Sequence, residues 1–139
     1  MDISVVNWFA VLLAAVLAWL FGAAWYMTLS KPWLAAARID PTKMQRSITP
    51  FVVSFIAELV MATVLALLLG AITGGESSWI AGVVFGIVFW LGFVATTFSV
   101  NDRYQGFGWS LTLINIGHWL GVLVIIGAVI GWFGGPAVE

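Results

Sequence analysis

The sequence predicts an all-α fold, a four-helix transmembrane bundle, and three observations carry that expectation. Hydrophobic residues make up 63% of the 139 and charged residues only 8%, against about 45–50% and about 25% in soluble domains. Four apolar runs are each long enough to cross the hydrocarbon of a bilayer, which takes about 20 residues of helix. The basic residues gather on one side of those runs. With 5 Lys plus Arg and 6 Asp plus Glu, the chain has too few charges to coat a water-facing surface, which excludes a soluble globular fold.

The first run, residues 5–27, has Asp2 as the only charge ahead of it and is longer than the apolar region of a signal peptide. It reads as a retained helix. The others cover residues 51–72, 78–100 and 110–133. Backbone groups in lipid must bond within the protein, and runs without period-two alternation do so only as helices. The chain reads as one transmembrane domain over residues 1–139, without repeats. Lys31, Arg38, Lys43 and Arg46 fall between the first two runs and Arg103 between the last two, while Asp2, Glu76 and Glu139 fall on the other side. Cytoplasmic loops retain Lys and Arg, so this bias predicts both termini outside (N-out, C-out) in a multi-pass protein of the inner membrane. It also argues against insertion in both orientations.

The loop from Thr28 to Thr49 is punctuated by Ser30-Lys31-Pro32, Asp40-Pro41 and Thr49-Pro50, each a capping side chain at or just before a proline. This predicts a short interfacial helix over residues 32–39, with Trp33, Leu34 and Ile39 beside Arg38, then a turn from Pro41 and the second span from Pro50. Gly74-Gly75-Glu76-Ser77-Ser78 has room only for a tight hairpin.

Lipid tails are as apolar as leucine, so helices associate where small side chains let backbones approach. Small residues recur at Ala10, Ala14, Ala18 and Gly22 in the first helix and at Ser54, Ala62, Ala66 and Gly70 in the second. Gly82 and Gly86 follow in the third helix; the fourth has Gly117 and Gly121, then Gly127, Gly131 and Gly135. These stripes either pack one chain on itself or leave the fourth helix for a homodimer or another membrane subunit. Of the 9 tryptophans, Trp8, Trp79 and Trp132 fall near the outer boundary and Trp25, Trp33 and Trp109 near the inner one, where indoles prefer to sit. Trp19, Trp90 and Trp119 lie deeper, about 12–15 Å inside their helices.

Two titratable residues stand inside the spans. Glu58 falls on the Ser54, Ala62, Ala66, Gly70 stripe and His118 lies about as far from the start of its own helix. Equal distance from the helix starts predicts that the two meet at mid-membrane, on a flank shared with Asn115 and Thr112, within a wall of Trp19, Trp90 and Trp119. Trp25, Tyr26 and Thr97 supply polar groups nearer the inner boundary. A buried acid is a functional-site hypothesis by default, and with His118 it would form a proton- or cation-linked site open to a small lipophilic or cationic ligand, drawn to aromatic faces. The other reading is a structural hydrogen bond in a scaffold or accessory subunit. The absence of cysteine and the single histidine leave no metal site within one chain, and haem held by two His118 residues of a dimer has no other support. No catalytic set or phosphate-binding loop predicts an enzyme or a cofactor, and no concentrated basic face predicts nucleic acid as a partner. The lipid bilayer is the expected environment.

Gly22-Ala23-Ala24-Trp25-Tyr26 followed by Lys31-Pro32-Trp33-Leu34-Ala35-Ala36, the Gly92-Phe93-Val94-Ala95-Thr96 stretch, and Leu113-Ile114-Asn115-Ile116-Gly117-His118 opening a glycine-rich last helix form a recognisable order. From about Asn7 to Trp132 the chain resembles the domain of unknown function family 1761, small bacterial four-helix membrane proteins. The resemblance implies fold and membrane location, brings no activity, and points to Trp25, Tyr26, Asn115 and His118 as the residues of interest.

Overall fold

The computed structural model describes residues 6–44 and 47–133, so Asp2, Arg46, Gly135 and Glu139 of the sequence reading lie outside the described residues. Helix α1 runs Trp8–Thr28 and is opened by Asn7, whose side chain accepts from the Ala10 amide at 3.1 Å. Helix α2, Ser30–Ala36, starts and ends a few residues before the range expected of it. Its N-cap is Leu29, so Ser30 does not cap it. Asp40 does cap, accepting from the Thr42 amide at 2.9 Å and the Thr42 hydroxyl at 2.7 Å to open a single turn at Pro41–Lys43. Helix α3, Thr49–Thr73, has Pro50 in its first turn but Ile48, without a side-chain bond, as its N-cap. One of the three expected proline-linked caps therefore forms.

At the far end of α3, Gly74 takes φ 63° and the Gly75 amide donates to the Gly70 carbonyl at 3.2 Å, a left-handed C-terminal cap that needs glycine. Ser78 accepts from the Ala81 amide at 3.2 Å and starts α4, Trp79–Phe89. A six-residue π-helical stretch, Trp90–Ala95, joins it to α5, Thr96–Tyr104. Helix α6 is Trp109–Phe133. The fold is all-helical, and four helices, Trp8–Thr28, Thr49–Thr73, Trp79–Tyr104 and Trp109–Phe133, are long and apolar enough to cross a membrane. Helix α2 and the α5–α6 turn share one end of the bundle, here the loop end; the α3–α4 hairpin marks the other.

Helix α6 packs against α1, α3 and α4, and α1 also packs against α3. Val11, Ala14, Ala18, Ala62, Leu65, Leu69, Val122 and Ile126 form the core. Large apolar side chains cover the outside, among them Phe9, Leu20, Val60, Val88 and Leu113, as an acyl-chain solvent allows and water does not. The stripe of Ala10, Ala14, Ala18 and Gly22 is buried as its spacing predicts. In α3 the buried face is Glu58, Ala62, Leu65 and Leu69, with Ser54, Ala66 and Gly70 only half-buried.

The glycines of α6 serve two intramolecular faces. A side chain at Gly127 would strike the carbonyl of Gly82, one at Gly131 that of Ser78, and one at Gly86 that of Leu123, so α4 and α6 touch backbone to backbone. Gly117 and Gly121 instead seat the rings of Trp25 and Phe21 from α1. Of the two alternatives for this stripe, Gly127 and Gly131 follow the first: both are buried within the chain against α4.

Candidate functional site

His118 is 5% exposed and faces α1. Its imidazole lies against Gly22, where a Cβ would stand 2.7 Å from Nε2, so only glycine leaves room for the ring. Tyr26 lies 4.8 Å away between ring centroids, Trp119 4.9 Å and Phe21 6.3 Å, the last nearly parallel. Nδ1 is buried without a hydrogen-bond partner. An imidazole boxed by aromatic rings with a free nitrogen retains its capacity to donate or accept a proton.

One turn nearer the loop end, the Oδ1 of Asn115 accepts from the Tyr26 hydroxyl at 3.1 Å and from the Trp33 indole Nε1 at 3.2 Å. Because an indole N–H only donates, the atom it meets must be the amide oxygen, which fixes the orientation of the Asn115 amide. The two donors come from α1 and α2, so Asn115 ties the interfacial helix and the end of α1 to α6. The Trp33 and Tyr26 rings meet edge to face at 5.5 Å. Trp25 donates to the Ile114 carbonyl at 3.2 Å, and Arg38, at φ 57° just past α2, donates from Nη2 to the Gly106 carbonyl at 2.7 Å. Thus α2 is fastened at two points over the Asn115–His118 cluster.

Glu58 is 1% exposed, so it faces protein, yet its Oε2 has no partner. It forms neither a hydrogen bond nor an ion pair with His118; among the described residues the only ion pair is Lys43 with Asp40. The register along α1 shows why. Trp8, Val11 and Leu12 of α1 and Leu59, Val60, Thr63 and Val64 of α3 line one lateral groove of ≈ 420 Å³, and Trp19 meets Phe51 and Phe55, each at 6.3 Å between centroids. Glu58 is therefore level with the Ala14–Ala18 stretch, while His118 is level with Gly22 and Tyr26, roughly 10 Å further along the helix. Counting from each helix's own start equated two levels that the offset of α3 separates.

The tryptophans follow the same correction. Trp119 flanks His118, but Trp19 donates to the Phe51 carbonyl at 3.0 Å at the start of α3, and Trp90 donates to the Ile116 carbonyl at 2.6 Å. They bolt helices together at separate places and do not form one wall. Thr97 is exposed and apart from this cluster. The groove lies by α1 and α3 and includes neither Glu58 nor His118.

Sequence reasoning missed a second polar cluster. Asp102, 6% exposed, accepts from the Thr112 hydroxyl at 2.7 Å, and that hydroxyl accepts from Arg103 Nη2 at 2.7 Å. The Arg103 guanidinium lies 4.1 Å above the Trp109 ring. One hydroxyl thus bridges both charges across the α5–α6 turn. The signal is present in Asp102-Arg103 at a span end with Thr112 ten residues on, but Arg103 enters the sequence reading only as a topology marker and Asp102 does not enter it.

No curated protein and no solved structure matches the chain. The model of the DUF1761 family, described as a protein of unknown function, matches residues 9–131, which takes in α1, α2 and the whole Asn115–His118 cluster. The chain belongs to the DUF1761 family.

Proposed function

We propose that the chain is a multi-pass protein of the inner membrane, with both termini outside and the loop end facing the cytoplasm. In this reading the cluster beneath α2 is a proton- or cation-linked site that passes a small lipophilic or cationic molecule. The observation that carries it is His118: buried, boxed by Phe21, Tyr26 and Trp119, seated on Gly22, and left with a free Nδ1. A packing residue has no need of a titratable ring there, and aromatic faces attract a cation once water is excluded. Asn115 and α2 complete the reading, since breaking the Trp33 and Arg38 bonds uncovers the cluster from one side of the membrane.

The test uses purified protein in liposomes with an imposed pH gradient and ethidium as the cationic probe. Wild type accelerates gradient-driven uptake, and His118→Gln falls to the protein-free rate while its helix content by circular dichroism stays unchanged. Equal uptake by wild type, variant and empty liposomes counts against transport. The rival reading is an accessory subunit that recruits partner helices through its glycine stripes; that Gly82, Gly86, Gly127 and Gly131 lie between α4 and α6 supports the first reading over it.

A further inference from the structure

Glu58 is a carboxyl that the His118 cluster does not use. It sits in the third turn of α3 on the face shared with Ala62, Leu65 and Leu69, at the level where α1 presents Ala14, Ala15 and Ala18, all with 0% exposure. The other titratable or charged residues in the four spans are Tyr26, Asp102, Arg103, Tyr104 and His118, and each belongs to the loop-end half. None bonds to Glu58, and Oε2 meets no donor. An ionised carboxylate in this place has neither a cation nor an N–H to replace its lost hydration.

A metal cation is a poor occupant. Hard cations take several oxygen ligands, whereas no group of three or more His, Cys, Asp or Glu occurs among the described residues. The Thr63 hydroxyl, further along α3, is already donated to the Leu59 carbonyl at 2.8 Å. The ligand that satisfies a lone carboxyl among alanines and leucines is a proton.

We propose that Glu58 is a reversible proton-binding site in the core of the bundle, separate from His118, at which the neutral acid lets α3 pack on α1 and α6 and loss of the proton loosens that packing. The site stands on its own geometry and survives if the His118 reading fails.

Full-length protein in nanodiscs is treated with dicyclohexylcarbodiimide, a lipophilic reagent that requires a protonated carboxyl. The acid proton moves to a carbodiimide nitrogen as the carboxyl oxygen bonds the central carbon; the acyl group then migrates to nitrogen as a stable N-acylurea, and no group leaves. The Glu58 peptide gains one carbodiimide mass near pH 6, and labelling falls roughly tenfold per pH unit above the titration midpoint. Glu58→Gln shows no gain, and His118→Gln labels like wild type. An infrared difference spectrum between wild type and Glu58→Gln gives a second readout, the carbonyl stretch of a protonated acid, which needs no reagent access. Limited proteolysis at the ends of α3 reports the loosening, increasing over the pH range in which the carbonyl band disappears. Absence of that band near pH 6, labelling indifferent to pH, protection by sodium at fixed pH, or proteolysis that ignores the titration overturns the proposal.

Discussion

Three rings in this bundle rest on glycines of a facing helix: His118 on Gly22, Trp25 on Gly117 and Phe21 on Gly121. Such seats have no slack, so Gly22→Ala is expected to displace the imidazole and to cost about 1–3 kcal/mol, the usual range for overfilling a packed site. Thermal unfolding in detergent and the NMR signals of His118 measure it, and a variant unchanged in both counts against the seat. Asn115→Leu strands the Tyr26 hydroxyl and the Trp33 indole and is expected to cost about 1–3 kcal/mol. Tyr26→Phe should relieve part of that loss in a double-mutant cycle; strictly additive losses would contradict the shared acceptor. At Asp40 the Thr42 hydroxyl, then its amide, hold the carboxyl below its ordinary value. The cap is therefore at full strength above the unfolded-state value and fades as pH falls through the lower folded one, a change that Asp40→Asn should abolish in amide exchange at Thr42. None of these seats was legible in the sequence, because a glycine and the ring it receives lie tens of residues apart and share no local pattern. The residues themselves, Trp25, Tyr26, Asn115 and His118, were singled out by their order along the chain.

Elements were the most legible level. Four apolar runs, the hairpin glycines and the proline-marked loop locate α1, α2, α3, the third span and α6 to within a few residues, since hydrocarbon demands helices and turns demand particular residues. Register between helices was not legible. Every helix begins where its own caps and boundary permit, and nothing in the sequence records that α3 starts beside Trp19, well before the end of α1 at Thr28. That offset is what parts Glu58 from His118. The stripe of α6 was visible but its owner was not, because glycine spacing is the same whether the facing backbone belongs to α4 or to a second molecule. Gly127→Leu accordingly strikes the Gly82 carbonyl, which cannot rotate aside, and the loss should reach or exceed ~3 kcal/mol. Denaturant unfolding should show it as a lower midpoint, with no change in the association state of the folded fraction; a selective loss of dimer with intact stability would return the stripe to an intermolecular role.

At the scale of the whole molecule, Lys31, Arg38, Lys43 and Arg103 stand at one end and Glu76 at the other. The orientation proposed above, with the loop end toward the cytoplasm, rests on that distribution. The chain has 0 cysteines, so single Lys43→Cys and Glu76→Cys variants report topology without background. In intact cells an impermeant maleimide should modify the latter and spare the former, and the reverse pattern would invert the arrangement. Helix α4 is pinned to α6 by Gly82 and Gly86, and α5 is pinned to the same α6 by the Asp102–Thr112 bond. Between the two attachments lie the wide turns of Trp90–Ala95, which carry more residues per turn than an ordinary helix. Winding the same six residues as ordinary helix would swing everything beyond them by about 100°. The zipper and the carboxylate then could not both find α6, so this stretch acts as the angular gauge that lets one rod engage another at two separate points.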